Sequence, residues 1–273
     1  MDKISVVVCV KNEEQRLADC LKSVVDNGPD EIILVDGNST DRTVEIARQF
    51  RGVRIIETSN STLTRDRQIG IDAARNNLVA MIDADHRLRP DDLRSLLADM
   101  KEFRFDIVQS GLIAYQNHGF WDSAEEAMWR LTHNIPGPRT MIGTAPAIYK
   151  KSVFDAVRFD DRITKTIDDT DFAYRLSKIP SIRFGIGRTN IRQYHFATFA
   201  DYARKFKWYG KGDGEFCRKN PERAPSMLYH LLIRYPFVHS WKALRRGEWK
   251  AVPFFMLQGL LRFYGLATYF LRS

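Results

Sequence analysis

Two short acidic clusters are the residues best suited to chemistry in this chain of 273 residues: Asp83-Ala84-Asp85 and Asp168-Asp169-Thr170-Asp171. The first closes the apolar run 78–82, and the second heads a stretch with helical character. Side chains two apart on a strand project to the same side. Asp83 and Asp85 are therefore expected to enter one cleft from a strand end. Two hard oxygen ligands suit Mg²⁺ or Mn²⁺, which in turn suits a substrate diphosphate. The second cluster offers a carboxylate base. Together they point to an enzyme acting on a nucleotide-activated substrate.

The elements that must position these groups alternate between strand and helix. Apolar runs at 4–10, 31–35, 53–57, 78–82 and 105–110 read as strands. Residues 13–25 read as a helix with Leu17, Cys20, Leu21 and Val24 on one face. Further helices are expected after the cap signal 38–41, from 67 to about 76, and from 90 to about 103. This order predicts an α/β fold with a mostly parallel sheet flanked by helices. Ligands of such sheets bind beyond the strands' carboxyl ends, where the turns after Val10, Val35 and Ile82 fall. Further on, 120–132 and 170–177 read as helices, and 140–149 as a return to the sheet. Residues 182–186 read as a short strand, and Gly185-Ile186-Gly187, which lacks the third glycine of a dinucleotide fingerprint, reads as a turn. Gly210, Gly212 and Gly214 read as a flexible loop, which suggests a domain over 1–215 and a helical extension over 216–273.

The formal charge is +8 and lies unevenly along the chain. Residues 204–273 hold 14 Lys/Arg and 4 Asp/Glu, a net +10, against 28 and 30, a net −2, in residues 1–203. The extension has two apolar-aromatic stretches, 227–241 and 251–271. Arg262 near the middle of the second would cost about 2.5–3.5 kcal/mol at a bilayer centre. A helix in the membrane interface fits that composition better than a span; packing on the catalytic domain or on a sister subunit fits it as well. No nucleic-acid-binding motif is present. Cys9, Cys20 and Cys217 match neither a disulfide framework nor a zinc site, as expected of reduced thiols in a cytoplasmic protein. Residues 4–10 lack a basic leader and read as a strand, not a signal peptide.

Taken in order, these segments resemble the family 2 glycosyltransferases with the GT-A fold. Residues 6–14 are similar to that family's first strand and nucleotide loop, and 32–41 to its second strand and turn. Arg67-Gln68-Ile69-Gly70 is similar to its Arg-Asn-x-Gly segment, Asp83-Ala84-Asp85 to its Asp-x-Asp motif, and 168–172 to its Glu-Asp-x-Asp-Leu motif. Residues 143–152 resemble its acceptor-side segment. Three positions depart from the pattern: Gly37 stands where many members have a second acid, Gln68 replaces Asn, and Asp168 replaces Glu. The Gln-x-x-Arg-Trp motif of processive synthases is absent, which favours transfer of a single sugar.

The resemblance implies roles for single residues. It implies that Asp83 faces ribose and diphosphate, with Ala84 and Asp168 also on the donor side, and that Asp85 binds Mn²⁺ or Mg²⁺. Asp169 is the candidate general base for inverting transfer; N-capping is the structural alternative for that cluster. Val10, Asn12, Glu13, Asp36 and Arg67 are the expected nucleotide contacts. His195 is a candidate second metal ligand, with packing between aromatics as its alternative. Lys205, Lys207 and Lys211 could close on a diphosphate or a lipid phosphate. The expected donor is a nucleoside diphosphate sugar, UDP by preference, and the expected acceptor a lipid-linked or membrane-associated glycan. That would place the protein in the cytoplasm or on the inner face of the cell membrane, with self-association an option. A non-catalytic nucleotide-sugar-binding subunit is the rival reading. A sugar nucleotidyltransferase fits less well, since the loop after the first strand is not glycine-rich.

Overall fold

The continuous apolar runs form strands covered on both faces, which is why they do not alternate with polar residues. The computed structural model describes residues 2–59, 61–115, 119–164, 166–194 and 198–272. The strands are β1 Ile4–Val10, β2 Glu31–Asp36, β3 Val53–Glu57, β4 Leu78–Asp83, β5 His86–Arg87, β6 Ile107–Ala114, β7 Gly137–Pro138, β8 Ala147–Lys150 and β9 Phe184–Gln193. The helices are α1 Leu17–Val25, α2 Thr43–Arg48, α3 Leu63–Ala73, α4 Asp92–Glu102, α5 Phe120–Thr132, α6 Val153–Ala156 and α7 Asp168–Leu176. They continue with α8 Phe199–Lys219, α9 Ala224–Tyr229, π-helical turns at His230–His239, α10 Ser240–Arg245 and α11 Ala251–Arg272.

By contacts the chain divides into two units. The first comprises Met1–Gly111, Ile135–Thr164 and Asp168–Gln193. Its sheet runs β3-β2-β1-β4-β8-β6-β9-β5, with β7 beside β9. Strands β3, β2, β1 and β4 are parallel, as expected. Beyond β4 the pairs β4–β8, β6–β8, β5–β9 and β7–β9 are antiparallel. Alternate residues of β1 serve opposite cores. Val6, Val8 and Val10 pack with Leu17, Leu21 and Val24 of α1. Val7 and Cys9 pack with Ile71 of α3 and Phe172 of α7. The register pairs Val10 with Asp36 and Cys9 with Asp83. The carboxyl ends of β1, β2 and β4 thus reach one edge, where the chain order switches direction across the sheet. Gly185-Ile186-Gly187 lies within β9, not in a turn. A Cβ on Gly185 would come 2.6 Å from the Phe105 ring, so the glycine reflects close packing.

The second unit comprises Leu112–Asn134, Lys165–Ile167 and Tyr194–Ser273. Residue 215 falls inside α8, so the expected flexible loop at 210–214 is helical instead. The local rule that glycines break helices gives way here to tertiary contact. A Cβ on Gly210 would overlap the Arg262 carbonyl of α11, and one on Gly214 would lie 2.6 Å from the Tyr269 ring. The glycines let α8 and α11 approach backbone to backbone. The same contact accounts for Arg262. Its guanidinium makes a two-pronged pair with Asp213 of α8 at 2.6 and 2.8 Å, and Asp213 is fully buried. Burial opposes the arginine's charge, yet Asp213 holds its pKa well above the ordinary value. Tyr202, Phe206 and Phe254 fill the space beside this pair of helices together with Ala124 of α5. Gly210→Ala is expected to destabilise the chain by about 1–3 kcal/mol through overpacking. Urea unfolding checks this, and an unchanged midpoint would mean that the glycine is not a contact residue.

Candidate active site

The acidic clusters belong to the first unit, and one buried arginine joins them. α3 lies tight on the sheet because Gly70 has no side chain; a Cβ there would overlap Val7 of β1. One turn earlier on α3, Arg67 is buried. Its Nη1 pairs with Asp168 at the head of α7, and its Nη2 lies 3.3 Å from Asp83 at the end of β4. Burial works against the guanidinium's charge, but Asp83 and Asp169 keep its pKa above the ordinary value. Arg67 is therefore not the surface ion pair that a helical arginine usually makes. Asp168 also accepts from the Thr144 hydroxyl at 3.4 Å, and the Thr144 carbonyl takes the Tyr149 hydroxyl at 2.6 Å.

The three aspartates of α7 differ in environment. Asp168 and Asp171 are buried, and Asp171 pairs with Arg175 at 2.8 Å. Asp169 is half-buried, with Oδ1 accepting the Thr170 N–H at 2.6 Å. It is the most open of the three carboxylates.

Asp83 and Asp85 converge by a different route from strand alternation. β4 ends at Asp83, and Ala84-Asp85 form a turn into β5. One side-chain atom each from Asp83, Asp85 and His86 lies within 4.8 Å of the other two. His86 is fully buried, and its Nδ1 accepts the Asp83 backbone N–H at 2.9 Å. In the neutral ring that bond leaves the proton on Nε2, which lies 3.7 Å from Asp85 Oδ1. Gln193, cross-strand from His86, donates to Asp85 Oδ2 at 2.8 Å. Buried Arg87 donates to the carbonyls of Ala84, His86 and Arg16 at 2.7–2.8 Å. Sequence reasoning missed His86, Arg87 and Gln193. The signal available was adjacency, since His86-Arg87 directly follow the acidic triplet.

The loops after β1 and β2 are fastened to each other. Asn12, at φ 57°, accepts the Thr40 N–H at 2.8 Å and gives its own N–H to Ser39 at 2.9 Å. Glu13 gives its N–H to Thr43 at 2.8 Å. The Glu13 carboxyl is held above the ordinary range by burial, with the charges of Asp85 and Asp83 acting in the same direction against Arg16. Asp36 is buried and takes the Ser39 N–H and hydroxyl, while the Val10 carbonyl takes the Gly37 N–H at 2.8 Å. A Cβ on Gly37 would stand 2.8 Å from the Asp66 carboxylate, so a second acid does not fit at that position. Val10, Asn12, Glu13 and Asp36 thus share the sheet edge that carries Asp83. His195 lies outside the described residues. Lys205, Lys207 and Lys211 sit on α8 of the second unit, not on a loop.

Comparison with known proteins bears on the family and the fold. A glycosyltransferase of Streptococcus pneumoniae, GlyA, is 27% identical over 58% of this chain and 26% of its own length. A dodecaprenyl-phosphate galacturonate synthase of Rhizobium johnstonii is 34% identical over 39% of this chain and 35% of its own. The chain thus spans about a quarter to a third of the length of these two curated relatives. Among solved structures, TarS 1–349 of S. aureus in complex with UDP-GlcNAc superposes with a TM-score of 0.59 at 15% identity, over 98% of this chain and 89% of that one. The TarS likeness shows the fold, which is of the GT-A kind. Residues 5–159, more than half of the chain, match the family described as Glycosyl transferase family 2, and the chain belongs to that family.

Proposed function

We propose that the protein is an inverting, divalent-metal-dependent glycosyltransferase that moves one sugar from a nucleoside diphosphate donor, UDP by preference, to a lipid-linked acceptor. One observation carries this reading. Arg67 touches both Asp83 and Asp168, so the two acidic clusters meet at one edge of one sheet. A cation site and a base on separate surfaces would have removed it. The donor class draws support from the UDP-GlcNAc complex of TarS, and the acceptor class from the named activity of the Rhizobium relative.

The residues present fit a divalent cation of the Mn²⁺ or Mg²⁺ kind. Asp83 and Asp85 supply hard carboxylate oxygens. His86 holds the Asp83 backbone through Nδ1 and brings Nε2 to 3.7 Å from Asp85 Oδ1, beyond hydrogen-bond reach, so its part is to brace the turn that carries both carboxylates. When bound, the cation offsets charge growing on the departing diphosphate. The protein's own groups do the rest. The fastened loops at 11–14 and 37–41 present backbone and Asp36 to the nucleoside. Arg67 is held by Asp83 and Asp168 and fixes the spacing between donor side and base. Asp169, the more open carboxylate of α7, takes the proton of the acceptor hydroxyl as its oxygen attacks the anomeric carbon opposite the leaving group.

Asp169→Asn is expected to lower turnover about 10²–10⁴-fold while donor affinity by calorimetry stays within a small factor. Near-normal release of nucleoside diphosphate by that variant would remove Asp169 from the role. Donor that binds tightly yet is never consumed, whatever acceptor is offered, would identify a binding subunit instead. His86→Leu, close in volume, is expected to weaken Mn²⁺ binding about 10–100-fold, read by electron paramagnetic resonance of free Mn²⁺ in the presence of UDP. Unchanged Mn²⁺ affinity in this variant would leave the histidine a packing residue only.

A further inference from the structure

The helical run from Ala224 to Arg245 presents two unlike faces. Leu231, Pro236, Ser240 and Ala243 are buried. Every fourth residue on the other side is apolar and exposed: Tyr229, Ile233, Phe237 and Trp241, continued by Leu244. Phe237 is 63% exposed and Trp241 60%. Large aromatics left this open by a folded chain mark an interaction surface. α11 repeats the pattern, with Met256, Leu260 and Tyr264 exposed while Phe255, Gln258 and Gly259 are buried. The two helices touch where Gly259 meets the Leu231 carbonyl and Pro236.

The charge along these rows has one sign. Between residues 224 and 273 the sole acidic residue is Glu248. Both of its carboxylate oxygens are taken by Arg130, at 2.9 and 3.0 Å. Arg234, Arg245 and Arg246 are exposed, and the Arg245 guanidinium lies 4.7 Å from the centre of the Trp241 ring. Exposed aromatics with arginines among them and no uncompensated acid suit the headgroup layer of an anionic bilayer. There the rings enter the acyl boundary while the long cationic side chains reach back to phosphate.

We infer that the exposed row Tyr229-Ile233-Phe237-Trp241-Leu244, with Arg245 and Arg246 beside it, is a docking face for an anionic lipid surface. This deepens the acceptor side of the proposed transfer, since a lipid-linked acceptor is met at such a surface. It does not depend on donor chemistry. The face lies flat on the headgroup layer, because its opposite side is committed to packing within the unit.

The full chain is mixed with phosphatidylcholine vesicles, with and without phosphatidylglycerol, and no donor is added. Partitioning is read by co-sedimentation. Binding is expected to need phosphatidylglycerol and to fall as salt shortens the screening length. Arg245→Gln/Arg246→Gln is expected to weaken it about tenfold or more. Phe237→Asp/Trp241→Asp is expected to weaken it about a hundredfold, with an unchanged circular dichroism melt because both side chains are exposed. Absence of binding to the anionic vesicles, or equal binding by all variants, overturns the inference. So does conversion of a dimer to a monomer by Phe237→Asp/Trp241→Asp with vesicle partitioning unaltered, which would make the row a contact between copies. Release of nucleoside diphosphate from donor, measured separately without vesicles, reports on the transferase reading alone.

Discussion

Gathering carboxylates at one sheet edge works against itself. Two like charges about 4 Å apart repel by roughly 4 kcal/mol at an effective dielectric near 20. The chain places a buried guanidinium between the two acidic clusters, with one nitrogen toward Asp168 and the other toward Asp83. Burying an arginine is itself costly, and the pair of carboxylates is what makes it tolerable. Each charge depends on the others, so the site holds together only as a set. The position of Arg67 depends in turn on how closely α3 lies to β1, which Gly70 permits. A missing side chain thus fixes the spacing of the charges that the proposed chemistry needs.

Around that centre a ring of hydrogen bonds holds the backbone in place. Arg87 ties together the carbonyls of Ala84, His86 and Arg16. Asn12 and Ser39 lace the first loop to the second. These bonds are all made by the chain's own groups, so the loops are fixed by the protein itself. Asp36 spends its carboxylate on its own turn, through Ser39. Its carboxylate accordingly serves to shape the loop.

The parallel half of the sheet was legible because its signals are local. Each of β1, β2 and β4 is an apolar run followed by polar turn residues, and the acidic groups stand at the ends. The antiparallel half was legible only in part: 105–110 and 140–149 were expected in the sheet, as β6 and β8 bear out, but not their direction or partners. β5 and β7 are two residues long, and the pairing of His86 with Gln193 spans more than a hundred positions, which leaves no periodicity to detect. The convergence of Asp83 with Asp85 was expected from strand alternation but arises from a turn. His86 and Arg87 look like ordinary surface residues in sequence; only burial shows that they brace the acidic turn. The glycines of α8 misled for the opposite reason. Their local meaning is flexibility, whereas Arg262 and Tyr269 of a distant helix make them packing residues.

The ion pair between Arg262 and Asp213 has a mechanical consequence. α11 is long and apolar enough by composition to cross a bilayer. Drawing it alone into hydrocarbon would strip a buried aspartate of its counter-charge and carry a bare guanidinium into the acyl chains, a combined penalty of several kcal/mol. The pair acts as a latch. α8 and α11 travel together, so α11 is not released alone as a free spike.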